Sequence, residues 1–180
     1  MTDTKKNVLY FVRIIGVLLV ITMCIAGLLA FVNEITKDKI AENEQIALNN
    51  ALSNIFDGYT SLNTEDTALS IDNKAFNGFY TVKNGEELIG YYAKVSPKGF
   101  KGAIAMLVGI KTDGTVCGIE IISSGETPGI GDKIEKDGYL DKVAGGKYDT
   151  ISGATYSSKA VINGTKLALE AYAEYKKGVN

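Results

Sequence analysis

The chain has 180 residues, room for one domain of ordinary size and little more. Hydrophobic residues make up 46% and charged residues 22%, which excludes a disordered protein, and 19 basic against 21 acidic residues leave no basic field for nucleic acid. With no histidine and only Cys24 and Cys117, the chain holds neither a Ser-His-Asp triad nor a histidine or thiolate-cluster metal site, so no metal is expected.

The first element is an apolar run. Ile14 to Val32 contains 19 residues without a charge. As a helix it covers roughly 28 Å, close to the ~30 Å hydrocarbon core of a bilayer. Extended back to Val8, the run takes in Arg13, which can snorkel to the interface beside Tyr10 and Phe11. A cleaved signal peptide is the competing reading, but it needs a shorter core and a small-x-small site, for which Ala30-Phe31-Val32 is poor. The sequence therefore predicts a tail at 1–7 and a single membrane-spanning helix at 8–32, with lipid as its partner. Lys5, Lys6 and Arg13 before the run outnumber Lys37 and Lys39 after it. That bias puts the N-terminus inside and the C-terminal domain outside the cytoplasmic membrane. A span without internal charge offers no path for an ion.

Asn33 to Phe56 keeps a helical pattern, with Leu48, Ala51, Leu52 and Ile55 at three-to-four spacing and no Gly or Pro. It predicts a stalk helix, followed at 57–76 by a polar, aperiodic, flexible connection. Strands begin at Gly78. Phe79–Lys83 and Leu88–Val95 read as a hairpin around Asn84-Gly85, with Glu86-Glu87 making the loop longer than two residues. Ala103–Lys111 is apolar almost throughout, which suits a strand covered on both faces. Asp113-Gly114 turns into Val116–Ile122. At the C-terminus, Lys159, Asn163, Lys166, Glu170, Glu174 and Lys177 mark one polar stripe of a helix, and Val161, Ala168, Ala171, Tyr172 and Tyr175 lie opposite. A small antiparallel sheet with packed helices behind a single membrane helix is an α+β fold.

Two segments stand apart from ordinary connections. Ser123–Lys133 (SSGETPGIGDK) has three glycines and a proline; Pro128-Gly129 suits a tight turn, and Gly131 permits close backbone approach. On residue types alone it is a surface loop. Asp149–Ser158 (DTISGATYSS) leads into the last helix, with the small residues Ser152, Gly153 and Ala154 followed by the hydroxyls of Thr155, Ser157 and Ser158. Small residues and hydroxyls at a helix start suit a phosphate, whereas plain N-capping needs the same residue types.

Together the two segments are more specific. Asp149-Thr150-Ile151-Ser152-Gly153-Ala154-Thr155 matches D-x-x-[S/T]-G-A-T, the acceptor sequence of flavin transferases, without departure. Glu126 to Glu135 (ETPGIGDKIE) resembles the flavin-facing loop of the same FMN-binding families. Along its whole length the chain resembles the G subunit of the Rnf ion-translocating electron-transport complex. It shares both loops with the C subunit of the sodium-pumping NADH:quinone reductase, a longer chain. Where family members often carry histidine before E-T-P-G, this chain has Ser123-Ser124-Gly125.

The resemblance implies an FMN-binding domain at 77–180, behind a stalk and connection at 33–76. It implies FMN held through its phosphate by the hydroxyl of Thr155, a modified residue and not a nucleophilic catalyst. The backbone of Thr127, Pro128, Gly129, Ile130 and Gly131 would lie along the flavin ring with Glu126 at the head of that loop. Ser152, Gly153 and Ala154 would leave room for the ligand, and Ser157, Ser158 and Lys159 would stand near the phosphate. Asp149 would serve recognition by the transferase or hold the turn. The implied function is electron transfer within a ferredoxin:NAD oxidoreductase, with no independent catalytic site. The implied partners within the Rnf complex are its D subunit, a membrane flavoprotein, and its A and E membrane subunits; a flavin transferase acts during maturation. The same chemistry in a quinone reductase or a stand-alone membrane flavoprotein is one alternative; a cofactor-free anchored interaction domain is another.

Overall fold

A computed structural model describes residues 3–59 and 62–179; of residues 3–10, 12, 38 and 41 it describes the backbone alone. The side chains of Lys5, Lys6 and Tyr10, which the topology reading uses, lie outside the described ones. The chain divides into two compact units, Met1–Gln45 and Ile46–Asn180.

The first unit is helical. Helix α1 spans Asp3–Ile55, so its last turns, from Ile46, belong to the second unit. From Arg13 to Lys37 every residue is exposed, including Leu28 at 65% and Phe31 at 65%. A helix apolar on every side, with its described side chains exposed, has a surface consistent with a membrane anchor. It is one N-terminal helix, long and apolar enough to cross a bilayer.

The second unit is built on five antiparallel strands, β1 (Leu62–Asp66), β2 (Phe76–Asn84), β3 (Glu87–Val95), β4 (Ile104–Lys111) and β5 (Val116–Ser124), in the spatial order of the chain. A short 3-10 turn at Gly131–Glu135, helix α2 (Tyr139–Ala144) and helix α3 (Thr155–Val179) complete it. The α+β expectation holds.

Both faces of the sheet are covered, as the apolar run of β4 requires. On one side Ile104, Met106, Val108 and Ile110 of β4 join Phe79, Tyr91 and Val95 under Val161, Ala168 and Ala171 of α3. The polar stripe of α3 is exposed at every predicted position, from Lys159 to Lys177. On the other side Val82, Tyr92 and Leu107 pack with Ala51, Leu52, Ile55 and Phe56. Alternation along β4 sends neighbouring side chains to opposite cores.

Glycines make room for that second core. Gly109 and Gly118 pair directly across β4 and β5. A Cβ on Gly109 would lie 2.1 Å from Ile55 Cγ2, and one on Gly118 would lie 3.3 Å from Ile55 Cγ1. On β3, a Cβ on Gly90 would meet Phe56 Cε1 at 2.8 Å. The end of α1 lies against the sheet because no strand side chain stands beneath Ile55.

Three expectations are corrected. The β2–β3 hairpin closes with two residues, Gly85-Glu86, between the paired Asn84 and Glu87, and is not a longer loop. Gly85 has φ +65°, the first central position of a type II′ turn, and Ile89 is left out of the pairing as a bulge. The segment predicted as a flexible connection contains β1, whose exposed polar residues hide its pairing from a hydrophobicity pattern. As an edge strand it needs only one neighbour, and Glu65 adds an ion pair to Lys83 at 2.7 Å. Ser123 and Ser124, read as loop, pair with Ala105 and Ile104 at the end of β5.

Candidate functional site

The segment before α3 forms a tight turn. Ile151 O accepts the Ala154 N–H at 3.0 Å, with Ser152 and Gly153 between them. Gly153 has φ +81°, the conformation that the third residue of a type II turn needs. Ser158, wholly buried one turn into α3, holds it from beneath: its hydroxyl accepts the Ile151 N–H at 3.1 Å and donates to Ala154 O at 2.9 Å. Tyr139 of α2 adds a second restraint, its phenol donating to Asp149 O at 2.9 Å. Burial, with the Asp149 charge adding to it, pushes that phenol above its ordinary pKa. Thr155 is the first residue of α3 and is exposed, as is Asp149.

The loop after β5 turns at Pro128-Gly129, as predicted. Thr127 O accepts the N–H of Ile130 at 3.1 Å and of Gly131 at 2.9 Å, and Gly129 has φ +78°. Glu126, 9% exposed, points inward. One carboxylate oxygen, Oε2, accepts the Ser157 hydroxyl at 2.5 Å, and the other, Oε1, accepts the Lys101 N–H at 3.1 Å. One side chain therefore ties the β3–β4 loop, the β5 loop and the start of α3 together. A Cβ on Gly131 would lie 2.6 Å from Glu126 Oε2, so the close approach that Gly131 permits is to this carboxylate. Farther along, the ion pair with Lys136 at 2.8 Å holds the Asp132 carboxyl below its ordinary pKa.

These pieces enclose a pocket of about 280 Å³. Glu126, Thr127, Ile130 and Gly131 line it from one loop, and Gly153, Ala154, Thr155 and Ser157 from the other. Pro128, Gly129, Ser152, Ser158, Lys159 and Asp149 do not line it. Ser158 is engaged within the turn, Lys159 is exposed on the polar stripe, and Gly129 faces a different cleft with Lys133 and Tyr139. Two lining residues escape sequence reasoning, Phe100 and Tyr156. Tyr156 follows the acceptor motif directly, but Phe100 lies in the β3–β4 loop with no motif around it.

The donor set suits a flavin phosphate. The N-terminal turn of a 25-residue helix leaves N–H groups without helical carbonyl partners, beside an exposed hydroxyl. Open space surrounds the position where a Gly153 Cβ would point. Phe100, Ile130 and Tyr156 give the pocket an apolar wall.

Residues 99–170 match the FMN-binding domain family, and residues 16–55 match the RnfG N-terminal region. The G subunit of the ion-translocating oxidoreductase complex of Vibrio atlanticus (strain LGP32) is 30% identical over 185 residues, covering 86% of this chain and 87% of its own length. The protein of the same name from Vibrio vulnificus (strain YJ016) is 31% identical, with 86% of each chain covered. That of Haemophilus influenzae (strain ATCC 51907 / DSM 11121 / KW20 / Rd) is 32% identical over 160 residues, covering 73% of this chain and 75% of its own length.

The chain belongs to the RnfG family. The RnfG N-terminal match ends at the last residue of α1, and every residue lining the pocket falls inside the FMN-binding match. In this RnfG chain the FMN-binding domain thus carries the pocket, and the apolar helix precedes it.

Proposed function

We propose that this protein is the membrane-anchored flavin subunit of an Rnf-type ferredoxin:NAD oxidoreductase, with FMN esterified through its phosphate to Thr155 Oγ. The observation that carries the reading is the exposed Thr155 hydroxyl at the wall of a pocket whose other wall is the Glu126–Gly131 loop. Thr155 Oγ would bond the flavin-side phosphorus of a flavin pyrophosphate as the P–O bond to the second phosphate breaks; that second phosphate leaves with its nucleoside, and the hydroxyl proton passes to the departing phosphate or to water. The N-terminal turn of α3 favours the negative phosphate. Gly153 leaves space beside it, and Glu126 keeps Ser157 and the Lys101 backbone in register around the pocket. Pro128, Gly129 and Ser158 act from outside the lining, by shaping the two turns. Lys159 supplies positive charge from the exposed face.

Bound FMN supplies electron transfer in single or paired steps, the chemistry of a carrier between one-electron centres and another flavin. Asp149 presents an exposed carboxylate while its carbonyl is held by Tyr139, which supports recognition by the flavin transferase as its role. The domain lies outside the cytoplasmic membrane, alongside the A, D and E subunits of the complex. The matched RnfG N-terminal region and the near-equal length of the relatives support Rnf membership over a quinone reductase.

The test is co-expression of the full chain with a flavin transferase, then ultraviolet fluorescence on a denaturing gel and mass spectrometry of the peptide. Wild type should carry flavin at Thr155 and Thr155→Ala should carry none. An unmodified wild type beside an active transferase, or flavin persisting in Thr155→Ala, would refute the assignment.

A further inference from the structure

Phe100 and Tyr156 are 66% and 70% exposed, yet their rings stand 5.9 Å apart between centroids, tilted by 46°. Phe100 comes from the β3–β4 loop and Tyr156 from the first turn of α3. Single exposed apolar side chains are ordinary, whereas exposed ones gathered into one patch at the mouth of a pocket mark a ligand site. Both line the pocket that Thr155 also lines, and Tyr156 is the residue bonded to Thr155. Ile130, 51% exposed, continues the same apolar rim.

We infer that Phe100 and Tyr156 form the seat for the isoalloxazine ring of the flavin carried on Thr155, covering part of the ring and leaving an edge in solvent. The inference rests on the esterification reading above. The pocket itself, at about 280 Å³, falls just short of the ligand-site range, which begins at ~300 Å³, so it embraces a ligand only in part. A tethered ring exposed on one edge meets the requirement of a carrier that must reach partners on other subunits. The Glu126 hydrogen bonds to Ser157 and to the Lys101 backbone flank both aromatic residues in sequence and fix the two segments that present them. The seat is thus preorganised by a buried carboxylate.

A phenol against a flavin lends one electron to the light-excited ring and recovers it on return to the ground state. Tyr156 should therefore quench flavin fluorescence with no net chemistry, whereas phenylalanine should not. The experiment uses the full flavinylated chain in detergent, its native fluorescence normalised to the flavin found on the denatured band. Wild type should be several-fold dimmer native than denatured. Tyr156→Phe should recover most of that loss while keeping the ring held, and Phe100→Ala should lower flavin anisotropy by loosening it. A loaded wild type whose native yield is unchanged by Tyr156→Phe, or whose anisotropy is unchanged by Phe100→Ala, overturns the seat alone. A wild type with no flavin on the denatured band overturns both the seat and the esterification on which it rests.

Discussion

Replacing Gly109 with alanine puts a methyl group where Ile55 already lies. The new Cβ would stand 2.1 Å from Ile55 Cγ2, 3.0 Å from Cys117 Sγ and 3.5 Å from Phe56 Cε2. Carbon atoms rest about 3.5–4.0 Å apart, so the first contact overlaps by about 1.5 Å and Ile55 must move. Ile55 is 8% exposed and sits in a closed cluster with Ala51, Leu52 and Leu107, which leaves it little space to move into. Overpacking of this kind costs about 1–3 kcal/mol. Ile55→Ala alone leaves a hole and costs about 2–5 kcal/mol. Combined, the methyl added at position 109 enters the space that Ile55 vacated, so the double variant should be less destabilised than the sum by at least about 1 kcal/mol. Gly118→Ala, meeting Ile55 at 3.3 Å, should cost less than Gly109→Ala. Urea unfolding of the full chain in detergent, followed by near-ultraviolet circular dichroism, measures all of these, with the slope checked for constancy. Additivity within about 0.5 kcal/mol, or an unaffected Gly109→Ala, would show that the end of α1 does not lie on this glycine pair.

Ser158→Ala should destabilise the domain by about 1–3 kcal/mol, because the Ile151 N–H loses its buried acceptor; amide exchange at Ile151 should quicken, and unchanged protection would contradict the account of the turn. Burial pushes the Tyr92 phenol up to about 12 from 10.0, so the folded chain keeps a proton that the unfolded chain releases. The contribution of this group to stability is therefore complete below pH 10 and falls as pH rises through 12, and Tyr92→Phe should make the pH dependence in that window shallower in denaturation measurements. Protease added to cells stripped of their wall should digest the domain beyond Asn33, and digestion confined to inverted vesicles would reverse the proposed orientation.

Local pattern made much of this protein readable. The uncharged run Ile14–Val32 and the polar stripe from Lys159 to Lys177 each report the environment of a single helix, and the continuous apolar stretch of β4 reports a strand covered twice. The acceptor turn is equally legible, since Ser152, Gly153, Ala154 and Thr155 are neighbours and Gly153 has the φ that its turn requires. Cys24 and Cys117 are both free thiols, and burial raises the pKa of the second.

Other features exist only through packing. The polar residues of β1 give no period because an exposed edge strand buries almost nothing; its identity comes from pairing with β2. Gly109 and Gly118 look like interruptions in two strands until Ile55 is laid over them. Glu126 belongs to the loop expected to face the flavin, but its bonds to Ser157 and Lys101 join positions 31 and 25 residues away. Tyr139 supports Asp149, and Phe100 meets Tyr156, without any motif to announce either. Periodicity records which side of an element is buried, a property that each segment carries within itself. Which side chains then meet depends on how the sheet, its loops and α3 close on one another, and that closure alone brings Phe100 to the wall beside Thr155.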